Sequence, residues 1–213
     1  MSEEFLQEED YLSYDEEYSE NDIESYFSAP IHYHNITHDD MLNGDGLRVV
    51  LWVAGCSHNC PGCQNPQTHN PCGGVPFTQW EESEFWEWLD KPWTQGATFS
   101  GGDPLHPANR EYIGQMMKAI KESRPGKDIW CYTGYRLEVN EDGDFVLEDA
   151  QGNQFNYPAL KYIDVLVDGR FDLKIRQADI AAQKKVLWRG SSNQRLIDIP
   201  ATLKAGKIIE KEG

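Results

Sequence analysis

The chain has 213 residues, 39% of them apolar, and a formal net charge of −17, enough for one packed domain plus an extension. No run approaches the apolar length of a membrane span, and the acidic start fits neither a signal nor a transit peptide. The negative balance argues against nucleic-acid binding, which needs a basic footprint.

That charge is uneven. Residues 1–30 hold eleven acids and no Lys or Arg, which leaves 25 acids against 19 bases in the rest. With Tyr11, Tyr14, Tyr18, Tyr26 and Phe27 among those acids, the segment reads as a solvated, disordered extension. The sharper alternative is an acidic-aromatic segment that docks on a basic partner surface. Pro30 marks the boundary, so the domain is expected over 31–213. Five cysteines, odd in number and unevenly spaced, do not suggest a disulfide framework and suit a reducing, cytoplasmic setting.

After Pro30 the sequence reads as a polar lead-in and a turn at Asn43-Gly44-Asp45-Gly46. The first expected strand, about Leu47 to Ala54, delivers the loop Cys56-Ser57-His58-Asn59-Cys60-Pro61-Gly62-Cys63. Thr78 with Glu81 forms a capping box for a helix whose apolar face carries Phe85, Trp88 and Leu89. Trp80, Trp86 and Trp93 are expected to thicken the same core. A strand over Gly96 to Phe99 ends in Ser100-Gly101-Gly102-Asp103-Pro104, and a helix over Ala108 to Ser123 follows. Its methionines, Met116 and Met117, read as core fillers. Next come a strand over Asp128 to Tyr132 ending in Thr133-Gly134-Tyr135, a hairpin inserted at about 138–157, and a strand over Ile163 to Val167 ending in Asp168-Gly169. A short strand-like end is expected near Ile208.

Strand, loop and helix in alternation mark parallel βα units, and such folds build ligand sites past the C-terminal ends of their strands. Four polar or glycine-rich loops should therefore meet at one mouth. Three thiols at spacings of four and three residues suit one face of a small metal centre. A structural zinc usually takes four protein ligands. His58, His69 or Cys72 would have to complete such a site, and no distant second ligand pair is evident. An iron–sulfur cluster with one open iron is the favoured reading. Cys72 and Cys131 read as non-ligating thiols. The missing side chains of Gly101 and Gly102 would let backbone carbonyls approach a ligand ammonium closely.

The cysteine loop after the first strand, with Gly-Gly-Asp-Pro after the second, resembles the radical S-adenosylmethionine superfamily. Asn43 to Arg48, Ser100 to Pro107, Pro125 to Trp130, Tyr132 to Tyr135, Val165 to Gly169 and above all Trp188 to Gln194 resemble, more narrowly, the anaerobic ribonucleoside-triphosphate reductase-activating protein family. Gly62 and Gln64 stand where superfamily members often carry aromatics. The resemblance implies an α/β fold, an incomplete (βα) barrel of the radical SAM type with an inserted hairpin. It implies a [4Fe-4S] cluster on Cys56, Cys60 and Cys63. It also places S-adenosylmethionine along Gly62, Cys63 and Gln64, with its ammonium at Gly101, Gly102 and Asp103, and Thr133 and Asp168 as further contacts. The implied activity is reductive cleavage of S-adenosylmethionine to set a glycyl radical in the large subunit of the reductase, with an electron from a donor such as a flavodoxin. Other readings are a different small radical enzyme, such as another glycyl-radical activase or a deazapurine synthase, or a non-enzymatic metal-binding or redox-sensing protein.

Overall fold

The computed structural model describes residues 28–212; the acidic extension up to Phe27 lies outside the described residues. Ten strands and four α-helices follow one another: β1 His32–Asp40, β2 Arg48–Val53, β3 Val75–Pro76, α1 Gln79–Leu89, β4 Gly96–Gly101, α2 Arg110–Ser123, β5 Asp128–Tyr132, β6 Arg136–Val139, β7 Phe145–Glu148, β8 Gln154–Phe155, β9 Val165–Asp168, α3 Leu173–Ala181, β10 Arg195–Asp198 and α4 Ile199–Ala205. Seven strands form one sheet in the order β10-β9-β5-β4-β2-β1-β3. Its four central strands, β2, β4, β5 and β9, run parallel, and β1 and β10 close the two sides antiparallel. The fold is thus mixed α/β around a large, mostly parallel sheet.

The parallel strands are buried on both faces, which is why they read as largely apolar, with Arg48, Thr98, Ser100 and Asp168 as buried polar exceptions. Alternation sorts their side chains. Val49, Leu51, Phe99, Ile129, Cys131 and Leu166 join the main core, while Trp130, Val165, Val167 and Leu196 form a second cluster against which Trp188 packs. α1 starts on the expected capping box, with Thr78 N donating to Glu81 Oε2 at 2.8 Å. α2 buries Ile113, Met116, Met117 and Ile120, and both methionines are core.

Several expectations need correction. The polar lead-in is the nine-residue strand β1, of which only Ile36 is buried; β3 covers only its first two residues, and a strand open along most of its length carries little apolar alternation. Trp80 and Trp93 are 63% and 53% exposed rather than core; Trp93 Nε1 donates to Asp39 at the surface. The inserted segment is a three-stranded antiparallel sheet, β6-β7-β8, rather than a single hairpin. The end near Ile208 amounts to one bridge, Ile197 to Glu210, and α3, β10 and α4 were not anticipated. Among the described residues no helix is long and apolar enough to cross a membrane.

Inside the second face sits Arg48, fully buried. Its guanidinium donates to Thr98 Oγ1 at 2.6 Å and Ala97 O at 2.7 Å and pairs with Asp128 at 2.6 Å. A buried cation is tolerated only when its donors are matched in this way, and the Asn43 to Gly46 turn contributes Asp45 O.

Candidate metal and ligand site

Parallel strands place their C-terminal loops at one end of the sheet. β2 runs into Gly55, whose φ of +102° turns the chain at little cost to a residue without Cβ. Gly55 N donates to Thr68 O at 2.7 Å and Cys56 N to His69 O at 3.0 Å, which straps the cysteine loop to the short turn Pro66–Thr68. β4 ends beside it: Gly102 N donates to Val53 O and Asp103 N to Gly55 O, both at 2.7 Å. A Cβ at Gly102 would stand 2.5 Å from Gly55 O and 3.0 Å from Val53 O. Backbone cannot give way there. Gly102→Ala is therefore expected to cost about 1–3 kcal/mol and to loosen the loop pair, as thermal unfolding will show.

Asp103 ties the loops together. It is 1% exposed. Its Oδ1 accepts from Leu105 N at 2.8 Å. Oδ2 accepts from Gly134 N at 3.0 Å and lies 2.7 Å from His58 Nε2, while Thr133 Oγ1 lies 3.0 Å from both oxygens. His58 itself packs edge-on against Tyr135, and its carbonyl accepts from Arg170 Nη2 at 2.8 Å. A Cβ on Gly134 would fall 2.3 Å from the His58 ring. The loops after β2, β4, β5 and β9 are thus joined through one histidine and one carboxylate.

Between these loops lies a cavity of about 230 Å³, lined by Cys56, Cys60, Cys63, Gln64, Gly101, Gly102, Asp103 and Thr133. Burial, then the Asp103 charge, pushes the Cys56 thiol up to about 12.

The 4Fe-4S single cluster domain family matches residues 42–197. An anaerobic ribonucleoside-triphosphate reductase-activating protein from Enterobacteria phage T4 is 40% identical over 166 residues, spanning 78% of this chain and 93% of that protein. Its namesakes from Escherichia coli K12 and Salmonella typhi are 39% and 42% identical, covering 77% and 76% of this chain and 96% and 95% of their own lengths. The chain belongs to the anaerobic ribonucleoside-triphosphate reductase-activating protein family. A solved structure, QueE from Escherichia coli, aligns at a TM-score of 0.36 with 10% identity, over 76% of this chain and 81% of that one, a likeness too slight to inform the fold.

In this activating-protein fold the donor set fits a [4Fe-4S] cluster. Cys56, Cys60 and Cys63 are free, partly buried thiols around one cavity, and bound metal would take them as thiolates in spite of burial. Among the described residues no three Cys, His, Asp or Glu side chains close around a single-ion point. His58 is engaged with Asp103, and Cys72 is exposed. Two buried lining atoms, His69 Nε2 and Tyr132 Oη, have no hydrogen-bond partner among the described residues. Buried polar groups normally have one, so the cavity suits a polar ligand.

Of the ligand contacts expected from sequence, Gly62 and Asp168 do not line the cavity; Gly62, with φ +71°, faces Leu173 instead. Asp168 is turned away as well. It is fully buried, accepting from Leu137 N at 2.8 Å and from Arg195 at 2.9 and 2.5 Å. Sequence reasoning missed Asn43, Phe171, Gly190 and Gln194 as lining residues. The motif Trp188 to Gln194 was the available signal: Gln194 Oε1 accepts from Gly190 N at 2.8 Å and its amide donates to Gly169 O at 2.9 Å.

Proposed function

We propose that this chain activates anaerobic ribonucleoside-triphosphate reductase by setting a glycyl radical in its large subunit. The observation that carries the reading is three free thiols facing Gly101 and Gly102 across one cavity that also presents two unpartnered polar atoms. Bound there, a [4Fe-4S] cluster would supply the electron for reductive cleavage of S-adenosylmethionine, the chemistry by which a hydrogen would be removed from a backbone glycine of the reductase.

The chain's own residues do the rest. Cys56, Cys60 and Cys63 would hold the cluster through three thiolates, one fewer than the four that usually complete such a cluster. Gly101 and Gly102, bare of side chains, offer backbone to an ammonium group, and Asp103 and Thr133 fix that strand end. Cys63 and Gln64 lie along the nucleoside, with Gly62 shaping the turn just before them. A radical must form beside its target and away from water, which favours a protein substrate inserting its glycine loop at the mouth. We read the large sheet as the wall of an incomplete barrel over residues 31–213, open for that loop, with the 138–157 insert beside the opening. The electron would come from a soluble one-electron carrier such as a flavodoxin, in the cytoplasm.

The test is electron paramagnetic resonance of anaerobically reconstituted, dithionite-reduced protein. A reduced [4Fe-4S] signal that changes on adding S-adenosylmethionine is expected. Zinc in place of iron, or a signal indifferent to S-adenosylmethionine, would leave only a metal-binding module.

A further inference from the structure

Beside the cluster cavity lies a larger one of about 580 Å³, a size typical of ligand sites. Its walls come from the cysteine loop at Pro61, the segment that leads from β9 into α3, and the turn between β7 and β8 at Ala150. Gly134 and Phe171 line both cavities, so the two adjoin there.

Three acids and three bases line the larger cavity, but they are not equally committed. Asp149 accepts from Gln151 N, Asn153 N and Asn153 Nδ2 within its own turn. Asp172 caps α3, Glu148 accepts from Gln154 Nε2 at 2.7 Å, and Arg136 pairs with Glu138 at 3.3 Å. Among the described residues Arg170 and Lys174 form no ion pair. Arg170 Nη2 holds His58 O at 2.8 Å, while Arg170 Nε is buried without a hydrogen-bond partner, where such a group normally has one. The uncommitted groups are therefore donors, and Phe171 and Leu173 set apolar surface beside them. Because the lining is balanced in charge, a polyanion gains little here. Oxygen acceptors on a partly apolar chain fit, which is the chemistry of a polypeptide.

The target reaction points the same way. Glycine has no side chain, so selecting one glycine of a large protein requires contacts to the residues around it. Binding energy from such non-reacting parts of a substrate also holds the reacting atom in position. We propose that the larger cavity binds the segment flanking the target glycine in the large subunit of the reductase. Carbonyl or carboxylate oxygens of that segment lie on Arg170 Nε and Lys174 Nζ, and an apolar side chain lies against Phe171 and Leu173. The segment then passes Gly134 and Phe171 to present its glycine in the cluster cavity. The identity of this partner rests on the function proposed above.

The test uses the full chain, anaerobically reconstituted, with the intact large subunit and with S-adenosylmethionine present or absent. With Ala150 replaced by the photo-crosslinker p-benzoylphenylalanine, irradiation should join the two proteins at residues adjoining the target glycine. Independently, Lys174→Glu should weaken equilibrium binding of the large subunit about ten-fold or more. Lys118→Glu, on α2 and outside both linings, should bind as the parent does. Cross-links that map elsewhere on the large subunit, or parental affinity in Lys174→Glu, would overturn the site while leaving the proposed function standing. A cluster signal indifferent to S-adenosylmethionine, beside cross-links next to the glycine, would overturn the proposed chemistry and leave the docking site. A parent chain that does not bind the large subunit at all would overturn both.

Discussion

Asp103→Ala is expected to lower stability by about 3–5 kcal/mol, the scale for removing one partner from a buried charged contact, and to abolish S-adenosylmethionine binding. Four donors lose their acceptor: Leu105 N, Gly134 N, Thr133 Oγ1 and His58 Nε2. Each buried, unsatisfied donor costs about 1–3 kcal/mol, but neighbours sharing one partner do not add. For a chain of this length the loss corresponds to roughly 6–20 °C in Tm. Asp103→Asn keeps one carbonyl oxygen and turns an amide toward groups that are themselves donors, so about half the penalty is expected. The second effect is local. Asp103 N also holds Gly55 O, so releasing the side chain lets Gly101 and Gly102 drift from the cysteine loop. Thermal unfolding and equilibrium titration with S-adenosylmethionine separate the two effects. Native-like values in both would refute the joining role of Asp103.

The parallel strands were legible because burial on both faces leaves nothing for polar residues to do. Val49 to Ala54 and Val165 to Val167 therefore appear as apolar runs with glycine-bearing loops at their ends. β1 was illegible for the complementary reason: beyond its first two residues, which pair with β3, its outer side is open, its His38 ring stacks on Trp88 at the surface, and its register is broken by bulges. The thiols and glycines of the site were legible because their spacing is local. The role of His58 was not. As a sequence feature it is one more possible metal ligand in a cysteine loop; only the return of β4 and β5 to the same end brings Asp103 and Gly134 against its ring. Asp168 erred in the opposite direction, since a carboxylate at a strand end looks like a ligand contact until Arg195, 27 residues later, is found to occupy it.

Replacing Cys56, Cys60 or Cys63 singly with Ala should remove the cluster and lower reductase activation by ~10³-fold or more, because the whole acceleration depends on the group they hold. Iron after anaerobic reconstitution should fall from about four per chain to a small residue, and the reduced paramagnetic signal should vanish. No nearby thiol can substitute. Cys72 is exposed and is not among the residues lining the cavity. Cys131 is fully enclosed in β5, where burial raises its pKa well above that of a free thiol and no cluster could reach it. Cys72→Ala is accordingly the control, with full iron content and stability within about 0.5 kcal/mol of the parent. Three losses beside one unchanged control would assign the cluster to the loop after β2. Full iron content in any of the three single replacements would mean that another side chain serves as a ligand, and His69, with its unpartnered Nε2 in the same cavity, would be the first to replace next.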